Sequence, residues 1–397
     1  MMGNVVSSNK NRINYTLNAL KCIAIFAVII MHSGVHHWGG DFGRTIVLIS
    51  RFAVPVFFLI SGFYSFYSDN NYALKKYETR IIRLIILLIV SNILYLAFSY
   101  FTNPSFNVIS YFSFGRFING ILFNIPPSDG FHLWFLQALL YCYIIFWVAT
   151  KLKLKISEGY FLIPILFSIT LILTEVLVYM GINNGFMYYR NFLFMGLPFF
   201  YLGFYIHDKQ CKIKELSNLV LILGIIASII AILIELSIIT EMMELSVGCL
   251  FLAVSSFILC VNNPNYNIPI ASWIGGNLYT SMYIFHLLVI KLVQTVLKID
   301  LGYFNLIIYF ILTALIAIVI YIFKQFFNQN NHEKNDPQIT PITDKVTNEK
   351  VIPPNQHDAN EQESINPKQE TPEEMEARIR EKIMKELEIE QEKNKKL

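Results

Sequence analysis

A lysine and a histidine share the first apolar run of this chain. Lys21 and His32 stand eleven positions apart in TLNALKCIAIFAVIIMHSG. An ionisable group inside a membrane helix is costly and is retained mostly where it does something. At a rise of ~1.5 Å per residue the pair is about 16 Å apart along a helix axis. That is roughly half of a ~30 Å hydrocarbon core. One helix would carry a cation near one membrane face and a possible general base well toward the other, an arrangement suited to chemistry linking the two sides. The open alternatives are a snorkelling interfacial lysine and a neutral histidine hydrogen-bonded within a bundle.

A second set of cations lies in KKYETRIIRLIILL. Arg80 and Arg83 are three apart, so a helix would put them on one face. With Lys75, Lys76 and Lys21 they form an inner-leaflet basic site, and guanidinium groups match phosphate geometry. Membrane anchoring explains the two lysines well and the two arginines less well. A third set falls toward the outer side: Arg51, His132, Glu175, Arg190 and His286, with Asn277, Ser281 and Gln137 as hydrogen-bonding neighbours. Each could be structurally paired; together they describe a polar outer vestibule. The five cysteines, Cys22, Cys142, Cys211, Cys249 and Cys260, are scattered without a CxxC pair. They read as small buried hydrophobes, and no metal site is expected.

The elements that must position these residues are membrane helices. The chain has 397 residues, 55% of them hydrophobic, with a mean hydropathy of +0.50. The apolar excess is concentrated in runs near helix-spanning length, and the ten-residue alternation of a membrane β-barrel is missing. The expected fold is an all-α integral membrane bundle of ten spans. They fall near 15–35, 45–67, 81–101, 131–150, 160–180, 190–207, 216–236, 242–261, 272–297 and 302–327. Pro55, Pro164 and Pro198 lie within spans and should kink them. The eighth span, entered through Glu241 and Glu244, is the weakest. The run at the N-terminus lacks a convincing cleavage site and reads as an uncleaved first span.

Basic residues set the orientation. Lys75, Lys76, Arg80, Arg83, Lys151, Lys153, Lys155, Lys209, Lys212, Lys214 and Lys324 fall on one side, with Lys10 and Arg12. This bias places both termini in the cytoplasm. Four regions result: a lead over 1–14, a membrane domain over 15–327, a polar linker expected to be disordered over 328–370, and a charged amphipathic helix over 371–397. That last helix starts at Thr371 with Pro372 and Glu374 as capping partners. It is a solvated helix or a docking element for a protein partner. Residues 331–397 carry 11 Lys/Arg and 16 Asp/Glu, so the acidic tail sets off a basic membrane part. Nothing in this balance calls for nucleic acid. The outer segment 102–130, with its amphipathic stretch YFSFGRFINGILF, is a re-entrant helix or one lying on the membrane surface.

These residues resemble the integral membrane acyltransferase 3 family. Lys21 and His32 match its first-span signature, a basic residue, ten others and a histidine. Arg80 and Arg83 match its Arg-x-x-Arg. FFLISGF (Phe57 to Phe63), HLWFL (His132 to Leu136) and YIFH (Tyr283 to His286) also look like it. The resemblance covers about 15–327. It implies a ten-helix bundle that moves an acyl group, usually acetyl, from cytoplasmic acyl-CoA to a hydroxyl of an extracytoplasmic or envelope glycan or related molecule. His32 would be the catalytic histidine, with Lys21, Arg80 and Arg83 toward the donor. Glu175 could orient His32, or Arg51 could stabilise an oxyanion. The implied location is a bacterial-type cytoplasmic membrane, the partners being the bilayer and a carbohydrate acceptor. The rival readings are a transporter exporting a glycan or small solute, which ten spans and internal charges also suit, and a non-catalytic assembly subunit.

Overall fold

The computed structural model describes residues 13–335, except 104–105, 112, 125, 127, 183–184, 186–187, 240 and 299. The expected tail helix over 371–397, most of the linker and the first 12 residues lie outside the described residues. Among the described residues every regular element is helical. The principal helices are α1 (Tyr15–His32), α2 (Gly40–Ser50), α3 (Ala53–Phe63), α4 (Asn70–Thr102), α5 (Phe114–Phe123), α6 (Trp134–Lys151), α7 (Leu162–Tyr179), α8 (Leu197–Asp208), α9 (Asn218–Ile238), α10 (Val247–Asn262), α11 (Pro269–Asn277), α12 (Tyr279–Leu297) and α13 (Phe304–Asn335).

Eight helical stretches are long and apolar enough to cross a membrane. They are α1, α2 with α3, α4, Phe131–Lys151, α7, α9, α12, and α13 as far as Phe327. The two other expected spans are helical but shorter. One is α10, and the other is α8 with a five-residue π-helical turn, Phe192–Gly196, before it. The expected ninth span is broken at Leu278, between α11 and α12. The faces of α4, α9 and α13 that point away from the bundle expose Ile82, Ile86, Ile89, Leu223, Ile226, Ile230, Ile311 and Val319. Helices with their own backbone satisfied and apolar outer faces are what a bilayer accepts.

The prolines sit where helical segments meet: Pro55 in the first turn of α3, just after the break at Arg51–Phe52, Pro164 in the first turn of α7, and Pro198 at the start of α8, directly after the π-helical turn Phe192–Gly196. Side chains close several helix starts: Asn14 accepts from Leu17 N at 2.8 Å, Asp69 from Tyr72 N at 2.6 Å and Ser246 from Cys249 N at 3.2 Å.

Helix α1 is the centre of the bundle, contacting α3, α10, α11 and α12. Leu17, Ala24 and Ile25 on it are wholly buried. Its neighbours approach closely through glycine, as small residues allow in membrane bundles. A Cβ at Gly275 of α11 would stand 1.8 Å from the Asn18 carbonyl oxygen of α1. Gly62 of α3 and Gly203 of α8 serve the α3–α8 contact in the same way, each against the other helix's backbone.

Segment 102–130 is anchored to the bundle at several points. Asp129 accepts from Ser99 at 2.6 Å and Tyr111 at 2.8 Å, Ser128 donates to Asn92 at 2.7 Å, and Tyr141 of α6 donates to Ile121 O at 3.0 Å. Four cysteines are buried and Cys211 is exposed; all five are free thiols, as their scatter implied.

Candidate active site

α1 ends at His32 because Ser33 and Gly34 follow it. Ser33 Oγ donates back to Ile30 O at 2.8 Å, and Gly34 takes φ +78°, a left-handed conformation that glycine adopts without strain. Gln294 of α12 donates to Ser33 O at 3.0 Å and ties this end to the bundle. His32 is thereby held, half-buried, at the end of the central helix.

Two further histidines meet it. His132 sits on a short 3-10 turn, Phe131–Leu133, ahead of α6, and His286 lies within α12. The His32 ring centre is 5.2 Å from that of His286 and 6.2 Å from that of His132, and the last two are 4.8 Å apart. His132 and His286 are buried. Tyr95 of α4 and Tyr283 of α12 close the cluster: Tyr95 lies 5.1 Å from His132, and Tyr283 lies 5.4 Å from His132 and 5.7 Å from His286. Tyr283 OH donates to His132 O, and Tyr95 OH donates to Ile284 O at 2.7 Å. Phe131 covers His32 from the loop side at 5.3 Å. The approach of His132 to Tyr95 uses Gly130, where a Cβ would come within 2.9 Å of the Tyr95 ring.

A cavity of about 100 Å³ lies on the Lys21 side of this cluster. Its walls include Lys21, Ser61, Leu84, Phe135, Tyr279 and Tyr283. The Lys21 ammonium donates to Asn18 Oδ1 at 3.1 Å and stands 5.0 Å over the Tyr279 ring. Tyr283 thus faces the cavity and also borders the histidines.

The two arginines of α4 differ in environment. Arg80 is half-buried and donates to Ser65 Oγ at 2.9 Å, Tyr143 OH at 3.2 Å and Tyr64 O at 2.8 Å, with Tyr67 and Tyr143 stacked near it. Arg83 is exposed and makes no hydrogen bond or ion pair among the described residues. Spacing predicts one shared face, but the groove formed by Tyr64, Ser65 and Tyr143 takes only the first arginine. Leu84, one turn beyond Arg80, lines the Lys21 cavity.

The outer charges are organised by a residue read from the sequence only as the entrance to a span. Glu244 forms an ion pair with Arg51 and receives a bidentate bond from Arg190, Nε to Oε1 at 2.8 Å and Nη2 to Oε2 at 2.7 Å. Glu244 lies in the loop before α10. Burial opposes its ionisation, but the two guanidinium groups overcome this and hold its pKa at about 2. The charges of Arg51, Arg190 and Glu244 act on the His32 ring. Glu175 is engaged elsewhere: its Oε2 accepts from Val247 N at 2.9 Å, capping α10 beside Glu235, which accepts from Gly248 N at 2.9 Å. Asn277 bonds back to Trp273 O within α11, at 2.9 Å.

Of the residues singled out by sequence, the structure therefore brings together His32, His132 and His286, and puts Arg51 and Arg190 within electrostatic reach of His32. Tyr95, Tyr283 and Glu244 complete the site; Tyr95 was not singled out, Tyr283 entered only as the start of the YIFH motif, and Glu244 only as a span entrance. A tyrosine in the middle of an apolar run must find a partner for its hydroxyl, and that signal was present for Tyr95 and Tyr283. Glu244 had no comparable local signal, because its partners lie 193 and 54 positions away. Among the described residues no group of His, Cys, Asp and Glu is arranged to hold a metal ion.

A family model described as an acyltransferase domain matches residues 14–324. Neither the curated proteins nor the solved structures compared with this chain gave a match.

Proposed function

The chain belongs to the acyltransferase 3 family, and from that premise we propose that it is an acyl-CoA-dependent O-acyltransferase of a bacterial-type cytoplasmic membrane, acting on a hydroxyl of an extracytoplasmic glycan or related envelope molecule. The domain match makes it a membrane acyltransferase in general. The donor, the acceptor and the acetyl group are our reading, as are a ten-span topology and cytoplasmic termini. The ten spans are the eight long stretches together with α10 and the α8 segment. The basic residues at Lys75, Lys76, Arg80, Lys151, Lys153 and Lys209 support that orientation.

One observation carries the reading. Tyr283 is shared by the wall of the Lys21 cavity and the histidine cluster. A thin thioester arm anchored among the basic residues below would have a route toward His32. Acyl-CoA is a donor substrate here, not a resident cofactor. Arg83 and Lys21 supply cationic donors for its phosphates, while Arg80 braces α4 against α3 and α6. At the other end, His32 removes the proton of the acceptor hydroxyl. The oxygen bonds to the thioester carbonyl carbon, the C–S bond breaks, and the CoA thiolate leaves with that proton. Arg51 and Arg190, fixed by Glu244, place net positive charge near the oxyanion of the intermediate. An acyl-histidine intermediate on His32 is the second route.

Purified protein incubated with radiolabelled acetyl-CoA tests the reading. Free CoA thiol should accumulate with wild type and fall to background with His32→Ala. A folded wild-type protein that neither turns over acetyl-CoA nor is thermally stabilised by it would overturn the reading, and glycan flux without acyl-CoA would favour a transporter.

A further inference from the structure

The two buried histidines have assignable tautomers. His286 Nδ1 lies 2.7 Å from Tyr283 O in its own helix. A carbonyl oxygen only accepts, so Nδ1 carries the proton and Nε2 is a bare lone pair. His132 Nε2 lies 3.4 Å from Tyr95 OH, whose single proton already goes to Ile284 O. His132 Nε2 must then be the donor, and its Nδ1 is bare. Both bare nitrogens, His286 Nε2 and His132 Nδ1, are buried and have no hydrogen-bond partner among the described residues. Each is an acceptor in want of a donor, and leaving such a group unpaired is costly.

Distance selects the partner. Ring nitrogens lie about 1.2 Å from an imidazole centre and an N–H···N bond spans ~2.9 Å, so two bonded imidazoles have centres roughly 5.3 Å apart. His32 and His286 are separated by 5.2 Å, whereas His32 and His132 are 6.2 Å apart. His32 makes no hydrogen bond among the described residues, so no bond has to break for its ring to turn toward His286. Catalytic hydrogen bonds are often unaligned until substrate arrives.

We infer that His286 is a positioning residue for His32: its bare Nε2 accepts the N–H of His32, fixes the tautomer that leaves the other His32 nitrogen free for the acceptor hydroxyl, and shares the proton that His32 gains. This rests on the acyl-transfer reading above. No proton is created or lost. The acceptor O–H breaks, its proton moves to the free His32 nitrogen, and the His32 N–H held by His286 stabilises the resulting imidazolium. CoA thiolate later removes the proton. His132 and Tyr283 hold His286 in place, and Phe131 limits the His32 rotamers.

The test is steady-state acetyl-CoA turnover by full-length protein in detergent, with an envelope-derived oligosaccharide mixture as acceptor. His286→Leu should lower kcat by roughly 10²-fold with the donor KM unchanged. His286→Gln, whose side-chain oxygen can replace Nε2 as acceptor, should recover most of it. His286→Asn, whose oxygen falls nearer the Nδ1 position, should not. Melting temperature and monodispersity separate folding from chemistry; if the leucine variant is misfolded, the Gln and Asn pair decides. Wild-type kcat in His286→Leu, or equal loss in folded Gln and Asn variants, would overturn the inference. Absence of turnover in wild type would instead remove the reading beneath it.

Discussion

Helices α1 and α11 touch through Gly275, and alanine there should disable the enzyme from outside the site. The added Cβ would sit 1.8 Å from the Asn18 carbonyl oxygen and 2.8 Å from the Cys22 amide nitrogen. Both are backbone atoms, so no side chain can rotate aside. Ordinary contact begins near 3.4 Å, so the helices must part by about 1.6 Å. Helix α1 carries both Lys21 and His32, and Asn18 itself holds the Lys21 ammonium. Overpacking of this kind costs about 1–3 kcal/mol, and a shift near 1 Å at a reacting group can cost ~10²-fold in rate. Gly275→Ala should therefore lower the melting temperature and cut acetyl-CoA turnover about 10²-fold. Gly276→Ala is the control: the nearest atom there is the side-chain amide of Asn18 at 3.0 Å, the flexible end of a side chain. It should keep near wild-type rate and stability. Scanning fluorimetry with a free-thiol release assay on both variants decides the matter. Wild-type behaviour in Gly275→Ala, or equal losses in the two variants, would show that this close approach does not position α1.

The two arginines of α4 should separate. Arg83→Ala should raise the donor KM about 10-fold without changing the melting temperature, while Arg80→Ala, which strands Ser65, Tyr143 and Tyr64, should lower both stability and turnover. Glu244→Gln leaves two guanidinium groups without their shared carboxylate, and denaturation should show a loss of roughly 3–5 kcal/mol. The same carboxylate predicts an acid dependence. Its pKa is depressed from 4.5 to about 2 on folding, so its contribution is complete above 4.5 and disappears as pH falls toward 2. Wild type should lose stability across that window, and Glu244→Gln should show a flatter profile in pH-dependent melting.

The histidine cluster was partly legible in the sequence because membrane histidines are conspicuous by their cost. His32, His132 and His286 stand out in apolar runs; His132 and His286 were read into an outer vestibule, and His32 as a base on the first span. The helical class was legible from the same runs. Other features depend on contacts that spacing does not encode. Arg80 and Arg83 share a nominal face, yet the tyrosine groove accepts one and leaves the other exposed. The prolines mark where one helical segment gives way to the next, a boundary the apolar runs alone conceal. Glu175 looked like a partner for His32 by depth, but the N-terminus of α10 supplies it with a backbone N–H to satisfy. Glu244 is the counterpart: a residue that seemed to weaken a span joins Arg51 and Arg190 from two distant segments.

Transfer in sided proteoliposomes tests whether the protein, with His32 as its base, moves an acyl group from a donor on one face to an acceptor on the other. Radiolabelled acetyl-CoA is supplied only to the face carrying Arg80 and Arg83, and an envelope-derived oligosaccharide mixture only to the opposite face. Labelled oligosaccharide is expected with wild-type protein, none when donor and acceptor sides are exchanged, and none with His32→Ala. Transfer that persists in folded His32→Ala, or that ignores the side of the donor, would contradict that expectation.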